Sequence, residues 1–453
     1  MTAGDLSLRV VLVNGWSDLN KGDSGIIFGM VNAFTRSAPQ TKLALVSEFS
    51  EEDHRFTGGY RHLRSFRPDL RIYGSLLPYT PIQRHEGAGP TRPKWWRVSL
   101  RLLYLMRSLA VLALPQLGRM LLNGKGRESL RALRNADLVV SKGGHIFYSS
   151  GDHPQALIGL YHHSYPLLLA TRLGSPFAFY AQSMGPFEGR WSTRFARWLY
   201  SQASLITVRE ELSKSTLVSL GVPERQIVVV PDAAFALSPS ESDKVPALLR
   251  RIGITRNERF IAMTVRQWFF GKNADAPYKY DRYLRAMAHL ADHIVEEYGT
   301  KVVFIPQALG PSVQENDLIA AWQVYDLIEN KDHVRVLRDD LSPPQLMSVY
   351  GKAYAFVGTR FHSVIFALLM GIPALAISYF GPKAVGIMNM MGLDEYVIDI
   401  GEIDIIRLVE KLDDLMQNRE RIATDICERV ANLHERSEMT AGVILRAAVG
   451  GGH

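Results

Sequence analysis

The sequence predicts an α/β protein built from two Rossmann-like, doubly wound domains that face a cleft. Three observations predict this class. Short apolar, β-branched runs alternate with helical stretches along the 453 residues, which is typical of parallel sheets covered by helices. A polar stretch from Ser238 to Lys244 interrupts this alternation, and the same pattern then begins again. The composition, with 47% hydrophobic and 21% charged residues, excludes a disordered or fibrous chain.

Each half contains several short runs with the length and composition of buried strands. The first strand leads into a loop that runs to Gly25, and a helix is expected over Ile26 to Phe34. We expect a first domain at 1–237, a linker at 238–250 and a second domain at 251–453. The predicted strands are Arg9–Val13, Lys42–Val46, Asp137–Val140, Pro176–Tyr180, Ser204–Val208 and Gln226–Val230 in the first half, and Phe260–Val265, Lys301–Ile305, His333–Leu337, Ala355–Val357 and Ala374–Ile377 in the second.

Positive charge is concentrated in an amphipathic segment at 84–134. It holds eleven basic residues against two acidic ones, a net charge of +9, whereas the whole chain carries +7. Its apolar runs are interrupted by Arg107 and ended by Pro115, so it is too short to span a bilayer. Three interpretations stay open: a long basic helix packed on its domain, contact with anionic lipid at the inner face of the membrane, or nucleic acid. No nucleic-acid-binding motif accompanies the charge, so we expect no nucleic-acid partner.

The cysteine and histidine content restricts location and metal chemistry. Cys427 is the single cysteine, which excludes an internal disulfide and a cysteine metal cluster. The first residues have no signal-peptide pattern, so we expect a cytoplasmic protein. His162 and His163 are adjacent and should point to different faces of a helix rather than to a shared metal ion. We therefore expect no metal site, and no motif of the sequence indicates a bound cofactor.

Two glycine-containing loops follow predicted strands of the first half. The loop Asn20–Gly25, which includes Gly22 and Asp23, opens a helix, where backbone N–H groups attract an anion; a simple turn capped by Asp23 or Ser24 fits equally. In Lys142–His145, Gly143 and Gly144 allow either close approach to a ligand or a tight turn before His145.

The strongest local pattern lies between Val357 and Leu375. A strand ends at Gly358, and a helix begins near Arg360 and runs to Gly371. Arg360 and His362 therefore stand at the helix N-terminus, at the carboxyl edge of the sheet, where α/β proteins bind ligands. Arginines at such an edge indicate an anionic small molecule, because buried guanidinium groups need a partner.

These motifs, taken in order, resemble the polysaccharide pyruvyl transferases, which move the pyruvyl group of phosphoenolpyruvate onto sugar hydroxyls as a ketal. The resemblance implies a fold similar to double-Rossmann glycosyltransferases, phosphoenolpyruvate as the donor, and a saccharide acceptor of the cell envelope that is lipid-linked if segment 84–134 touches membrane. The family usually has a third glycine where this chain has His145. The motifs that carry the resemblance are Asn20-x-Gly22-Asp23, Gln182–Pro186, Val208-Arg209-Glu210, Pro231–Phe235 and Arg360–Ser363.

The resemblance also implies roles for individual residues. Arg209, Arg360 and Lys383 match positions that hold phosphoenolpyruvate, and Arg266 is a further candidate. We assign general acid–base catalysis to His362, supported by Arg360. Asp232 is a further catalytic candidate, which accepts a hydrogen bond from an acceptor hydroxyl or holds one of the arginines; a simple turn aspartate fits equally. Acceptor or loop contacts are expected from Asn20, Gly22, Asp23, Gly143, Gly144, His145 and Gln182.

Three alternatives concern the acceptor and the activity. The aromatic run Trp268–Phe270 could stack on a sugar ring, and a core position suits it as well. A nucleotide-sugar glycosyltransferase would have the same architecture, but Ser363–Ala367 lacks the acidic residue expected to contact a ribose. An inactive scaffold subunit of a polysaccharide assembly complex is the third alternative, and the presence of Arg360, His362 and Lys383 together argues against it.

Overall fold

The chain forms two compact units, each of which is described by itself below. The computed structural model describes residues 7–77, 94–240, 244–256, 258–271, 274–379 and 383–450. The first unit comprises Met1–Asp18, Ile26–Ala236 and Arg436–His453, and the second comprises Leu19–Gly25 and Leu237–Glu435.

Within the described residues, the first unit contains one sheet of eight parallel strands. They are β1 (Arg9–Gly15), β2 (Lys42–Ser47), β3 (Arg71–Tyr73), β4 (Leu138–Ser141), β5 (Gly144–Ser150), β6 (Phe177–Glu188), β7 (Leu205–Val208) and β8 (Ile227–Val229). Their order is β3-β2-β1-β4-β6-β7-β8, and β5 pairs with β6. β4 and β7 are buried along their whole length, as expected of strands covered by helices on both faces.

The helices that accompany this sheet are mostly short. α7 is anchored at both ends, because the His153 side chain caps its first turn and Gly174 ends it with a φ of 76°. The helices are α1 (Lys21–Ser37), α2 (His54–Gly58), α3 (Arg61–Phe66), α4 (Lys94–Ala113), α5 (Gly118–Leu121), α6 (Gly124–Arg134), α7 (Pro154–Leu173), α8 (Arg190–Ser201) and α9 (Glu211–Ser219).

The second unit has, in its described part, one parallel sheet of six strands. They are β9 (Phe260–Thr264), β10 (Lys301–Phe304), β11 (Val334–Val336), β12 (Ala355–Gly358), β13 (Ala374–Ser378) and β14 (Val397–Asp399), in the order β11-β10-β9-β12-β13-β14. The helices are α10 (Lys244–Arg251), α11 (Ala276–Tyr298), α12 (Asp317–Leu327), α13 (Pro343–Tyr350), α14 (Phe361–Leu369), α15 (Lys383–Met390), α16 (Ile405–Gln417) and α17 (Arg419–Gly450).

The predicted fold class is confirmed, since both sheets are parallel and carry helices between their strands. Every predicted strand is present. The prediction omits β3, β5 and β14, and it is wrong about the loop at Lys142–His145, because Gly144 and His145 already belong to β5. β3 and β14 have three residues each, one of which is an exposed charged residue, Arg71 or Asp399, so the apolar part of each is only two residues long.

Two stretches differ from the organisation expected from sequence. Leu19–Gly25, expected in the first domain, belongs to the second compact unit, and Arg436–His453 belongs to the first. The stretch predicted as a linker at 238–250 contains most of α10. In the described part of segment 84–134 there are three helices rather than one, because a 3-10 turn at Pro115–Leu117 follows α4. Residues 84–93 lie outside the described residues.

No helix in the described ranges combines the length and hydropathy needed to cross a membrane.

Candidate active site

The carboxyl ends of the strands in the second unit carry a group of charged side chains centred on Arg360. Arg360 follows β12, and its Nε and Nη2 atoms donate to the Asp317 carboxylate at 3.0 and 2.6 Å. Asp317 is 1% exposed and also accepts the backbone N–H groups of Gln307 and Ala308, at 3.1 and 2.8 Å. Burial opposes the charge of Arg360, but Asp317 raises the pKa of the guanidinium above its usual value. The guanidinium is thus held in one orientation.

Arg266 lies in the same group and has a different set of neighbours. Its guanidinium lies over the rings of Tyr379 and Trp268, 4.1 and 4.9 Å from their centroids, and its Nε donates to the Gln267 carbonyl at 3.1 Å. Among the described residues, no carboxylate forms an ion pair with it. Burial, and then the charge of Arg360, lower the pKa of Arg266. Arg266 is thus a buried cation without an ion-paired carboxylate among the described residues, which favours an anionic ligand beside it.

The loop predicted to bind an anion packs against the same edge. Asn20 donates to the Glu315 carboxylate at 3.4 Å, and burial raises the pKa of that carboxyl against the opposing effect of Arg360. Asn20 also caps α1, because its Oδ1 accepts the N–H of Asp23 at 3.3 Å, so the prediction of Asp23 or Ser24 as the cap is wrong. Lys21, which is 1% exposed, forms an ion pair with Asp340.

Gly22 brings α1 into close contact with His362. A Cβ atom built on Gly22 would lie 2.6 Å from His362 Nδ1, which is closer than side chains tolerate. His362 is the second residue of α14, whose first turn follows Arg360 directly. Gly22 therefore makes room for the imidazole beside the first turn of α14.

We expect Gly22→Ala to displace the His362 ring and to destabilise the protein by about 1–3 kcal/mol, the usual range for overpacking. Gly159→Ala is the matched control, because Gly159 is also helical but a Cβ there meets no atom within 4 Å. The control should be neutral or stabilising by up to about 1 kcal/mol, since alanine favours helix more than glycine does. Urea unfolding measures both, and the ¹⁵N imidazole spectrum of His362 reports its displacement. A spectrum of Gly22→Ala identical to wild type would contradict the assigned contact.

In the first unit a chain of hydrogen bonds crosses the carboxyl ends of four neighbouring strands. Gln182 on β6 donates to Ser141 Oγ at 2.9 Å, and Ser141 donates to Asn14 Oδ1 at 2.9 Å. Asn14, with a φ of 64°, donates to Glu48 Oε1 at 2.8 Å. These side chains are all buried, so the chain fixes their orientations and satisfies much of their hydrogen-bonding capacity.

The chain ends at two histidines of α7, and here the sequence prediction is wrong. His162 Nε2 lies 2.6 Å and His163 Nδ1 3.2 Å from the Glu48 carboxylate, so the two rings do share a partner. They reach it because they use different ring nitrogens and different carboxylate oxygens. Burial would raise the pKa of Glu48, but the two histidines hold it well below its usual value. Across the described part of the chain, these three side chains form the only group whose atoms could hold a metal ion. That the reaction needs no metal stays a prediction.

Arg209 and Asp232 form a buried ion pair after β7 and β8. Each is 1% exposed. Arg209 Nε also donates to Glu210 at 3.0 Å and to Ser183 Oγ at 2.7 Å, while Asp232 accepts the N–H of Ala234 at 2.9 Å. Asp232 therefore holds an arginine and also stabilises the turn at Ala234, while its contact with an acceptor hydroxyl stays a prediction.

The glycines after β4 are explained by the neighbouring strand. A Cβ atom on Gly143 would lie 3.0 Å from the Tyr180 carbonyl oxygen, and Gly144 has a φ of 125°. His145, which occupies the place of the family's third glycine, contacts the Gly185 carbonyl through Nε2 at 2.5 Å. This stretch is thus tied to β6; close packing against Tyr180 favours glycine at 143, and the positive φ favours glycine at 144.

The predicted site residues fall into two groups. The second unit brings together Asn20, Gly22, Asp23, Arg266, Arg360 and His362. The first unit contains Gly143, Gly144, His145, Gln182, Arg209 and Asp232. Lys383 begins α15, but its side chain lies outside the described residues.

The sequence prediction missed the partners that hold these residues. Asp317 and Glu315 flank Asn316, whose side chain caps α12, and that cap is the one signal that could have located them. Tyr379 follows β13 directly, where a search of post-strand positions could have found it. Glu48 directly follows β2, so its position after a strand is the same kind of signal.

Comparison with known proteins places the chain in one family. The family Polysaccharide pyruvyl transferase matches residues 20–381. The chain is 23% identical over 430 residues to the amylovoran biosynthesis protein AmsJ of Erwinia amylovora, covering 93% of this chain and 95% of AmsJ.

Solved structures resemble its fold. HepE of Anabaena in complex with UDP-glucose has a TM-score of 0.54 at 13% identity, covering 98% of this chain and 100% of HepE. The UDP-GlcNAc 2-epimerase of Neisseria meningitidis bound to UDP-GlcNAc gives the same TM-score, identity and coverage. At this identity the likeness concerns the fold alone. On the match over residues 20–381, the chain belongs to the polysaccharide pyruvyl transferase family.

Proposed function

We propose that this transferase of polysaccharide synthesis takes its pyruvyl group from phosphoenolpyruvate and attaches it to a saccharide as a ketal. The observation that carries the proposal is the presence of two arginines in one group. Arg266 has no ion-paired carboxylate among the described residues, and Arg360 is oriented by Asp317. Guanidinium groups bind carboxylate and phosphate through two hydrogen bonds each, and phosphoenolpyruvate has both groups. The N-terminus of α14 directly after Arg360 adds backbone N–H groups and a favourable dipole.

Ketal formation divides into proton transfer and charge stabilisation. A proton is added to the methylene carbon of phosphoenolpyruvate, and the adjacent carbon becomes an oxocarbenium-like centre. One acceptor hydroxyl attacks that carbon, the bond to phosphate breaks, and a second hydroxyl replaces phosphate, with release of the hydroxyl protons. We assign the proton transfers to His362 in the first turn of α14, and retention of the anionic donor to Arg266 and Arg360.

The aromatic residues after β9 have two different surroundings: Trp268 contacts Arg266, and Phe269 is available to the acceptor. Trp268 contacts Tyr379 and Arg266, with ring centroids 4.9 Å apart for the two aromatic residues. Phe269 is 72% exposed, which supports a role in stacking on a sugar ring. We propose the cytoplasm as the location, because a single cysteine fits a reducing compartment.

Thermal unfolding with phosphoenolpyruvate, UDP-sugars and GDP-sugars in parallel tests the donor without knowledge of the acceptor. Phosphoenolpyruvate at 100 times its dissociation constant should stabilise the protein by about 2.7 kcal/mol. Arg266→Gln should remove this stabilisation, because it removes the cation that lacks a described carboxylate partner. Arg285→Gln is the matched control, since Arg285 lies on α11 of the same unit with its side chain 62% exposed.

The alternative donors give a distinct outcome. Stabilisation by a nucleotide sugar and none by phosphoenolpyruvate would reject the proposed donor in favour of a glycosyltransferase. Stabilisation by phosphoenolpyruvate that survives Arg266→Gln would reject the proposed binding residue and keep the donor.

A further inference from the structure

The helix α4 and the short α5 carry large apolar side chains on the surface of the first unit. Leu103, Met106 and Met120 are 62%, 60% and 82% exposed. Monomeric proteins seldom expose contiguous apolar side chains of this size unless another molecule covers them. We call this surface the α4 face, and its exposed members include Leu102, Leu103, Leu105, Met106, Leu109 and Met120.

The opposite side of α4 attaches the helix to its unit. Ser108 and Val111 are 3% and 1% exposed, and Ser108 contacts the hydroxyl of Tyr161 on α7 at 3.0 Å. At about 100° per residue, these two positions lie on the side of α4 opposite Leu102 and Met106. The helix therefore has one apolar side inside its unit and a second one outside, and the core does not account for the second.

The charge of the surrounding segment identifies what covers the α4 face. Segment 84–134 has eleven basic residues against two acidic ones, and α6 contributes Lys125, Arg127, Arg131 and Arg134, all of them exposed. Arg107 of α4 and Lys125 of α6 line one surface pocket, so basic side chains of α6 lie beside α4. An exposed apolar helix face beside basic side chains matches the interface of an anionic bilayer, with acyl chains for the leucines and headgroups for the arginines. A second copy of this chain bound through the same surface would have to offer acidic groups to these basic side chains, and the described residues of α4, α5 and α6 supply only Glu128.

We propose that the α4 face and the basic side chains of α6 bind the surface of an anionic membrane. The helix lies in the plane of the interface and does not cross the bilayer. This inference is independent of the donor proposed above, because it concerns other side chains.

Vesicle co-sedimentation tests the proposal on the full chain. We expect binding to vesicles of phosphatidylcholine with phosphatidylglycerol at low salt, and at least about tenfold weaker binding to phosphatidylcholine alone or in high salt. Leu102→Ser/Met106→Ser should weaken binding to anionic vesicles at least about tenfold, because two large apolar side chains are lost from the interface. The matched control is Leu212→Ser/Ile406→Ser, whose two side chains are 55% and 69% exposed but lie outside the α4 face.

A charge variant keeps the test valid if the serine variant folds poorly. Arg131→Gln/Arg134→Gln should also weaken binding to anionic vesicles, with an unchanged unfolding midpoint, because both side chains are exposed. Absence of binding to anionic vesicles, or equal losses in the variant and the control, would overturn the proposal. A further result would also overturn it. If light scattering shows a dimer that Leu102→Ser/Met106→Ser converts to a monomer, and the protein binds no vesicles, the α4 face joins two copies of the chain instead. Stabilisation by phosphoenolpyruvate should be unaltered in every variant, which separates this proposal from the donor proposal.

Discussion

Replacing His362 by glutamine is expected to slow turnover by about 10²–10⁴-fold, the usual contribution of a general acid or base. Stabilisation by phosphoenolpyruvate should persist, because Arg266 and Arg360 remain in place. Glutamine keeps hydrogen-bonding groups near Gly22 but cannot exchange a proton near neutral pH. Release of phosphate from phosphoenolpyruvate that depends on a saccharide acceptor measures turnover. His289→Gln is the control, since His289 is exposed on α11 of the same unit.

Two results would change this assignment. Turnover close to wild type in His362→Gln would exclude an essential proton transfer by this residue. Binding of phosphoenolpyruvate without turnover in the wild type, whatever the acceptor, would favour the scaffold alternative, in which the site holds the donor and no ketal forms.

Replacing Arg209 by methionine is expected to destabilise the protein by about 3–5 kcal/mol, the cost of breaking a buried ion pair. Burial opposes the charge of Arg209, and its pKa is nevertheless raised by Asp232 and Glu210, so the three groups depend on each other. Methionine has similar bulk, so the loss is mainly that of charge. Asp232 and Glu210 would be left buried without their cation.

The double variant Arg209→Met/Asp232→Asn separates charge from packing. It should regain about 1–3 kcal/mol in urea unfolding, since residues in one ion-pair network couple by that amount. Arg285→Met, which removes an exposed pair with Asp281, should leave stability nearly unchanged. Normal stability of Arg209→Met, together with loss of stabilisation by phosphoenolpyruvate, would instead support the ligand-binding role that the family resemblance implies for Arg209.

Local sequence patterns predict eleven of the fourteen described strands. Runs such as Leu138–Ser141 are buried on both faces, so nearly every residue is apolar or small and the run stands out. The sequence predicts a loop at Gly144 and His145, because two glycines follow a strand there and glycine is depleted in strands. Pairing with β6, which no local pattern indicates, makes them a strand.

Site residues could be predicted where a charged or titratable residue directly follows a strand. Their partners could not be predicted, because they lie far away in the sequence. Arg360 and His362 follow a strand directly, so their position was evident. The pairing of Lys21 with Asp340 joins residues 319 positions apart, and Arg360 meets Asp317 across 43 positions. His162 and His163 show the same limit, since helix geometry gives the direction of each side chain but not the carboxylate that lies between them.

The division of the chain into units has a consequence for how fragments of this protein can be made. The first turn of α1 belongs to the second unit, although it lies more than two hundred residues before the rest of that unit. The end of α17 belongs to the first unit, although it comes last in the chain. A cut after Ala236 would separate Lys21 from Asp340 and Arg36 from Glu438. No single cut thus yields two complete folding modules, and a fragment limited to 237–435 would lose the glycine that accommodates His362.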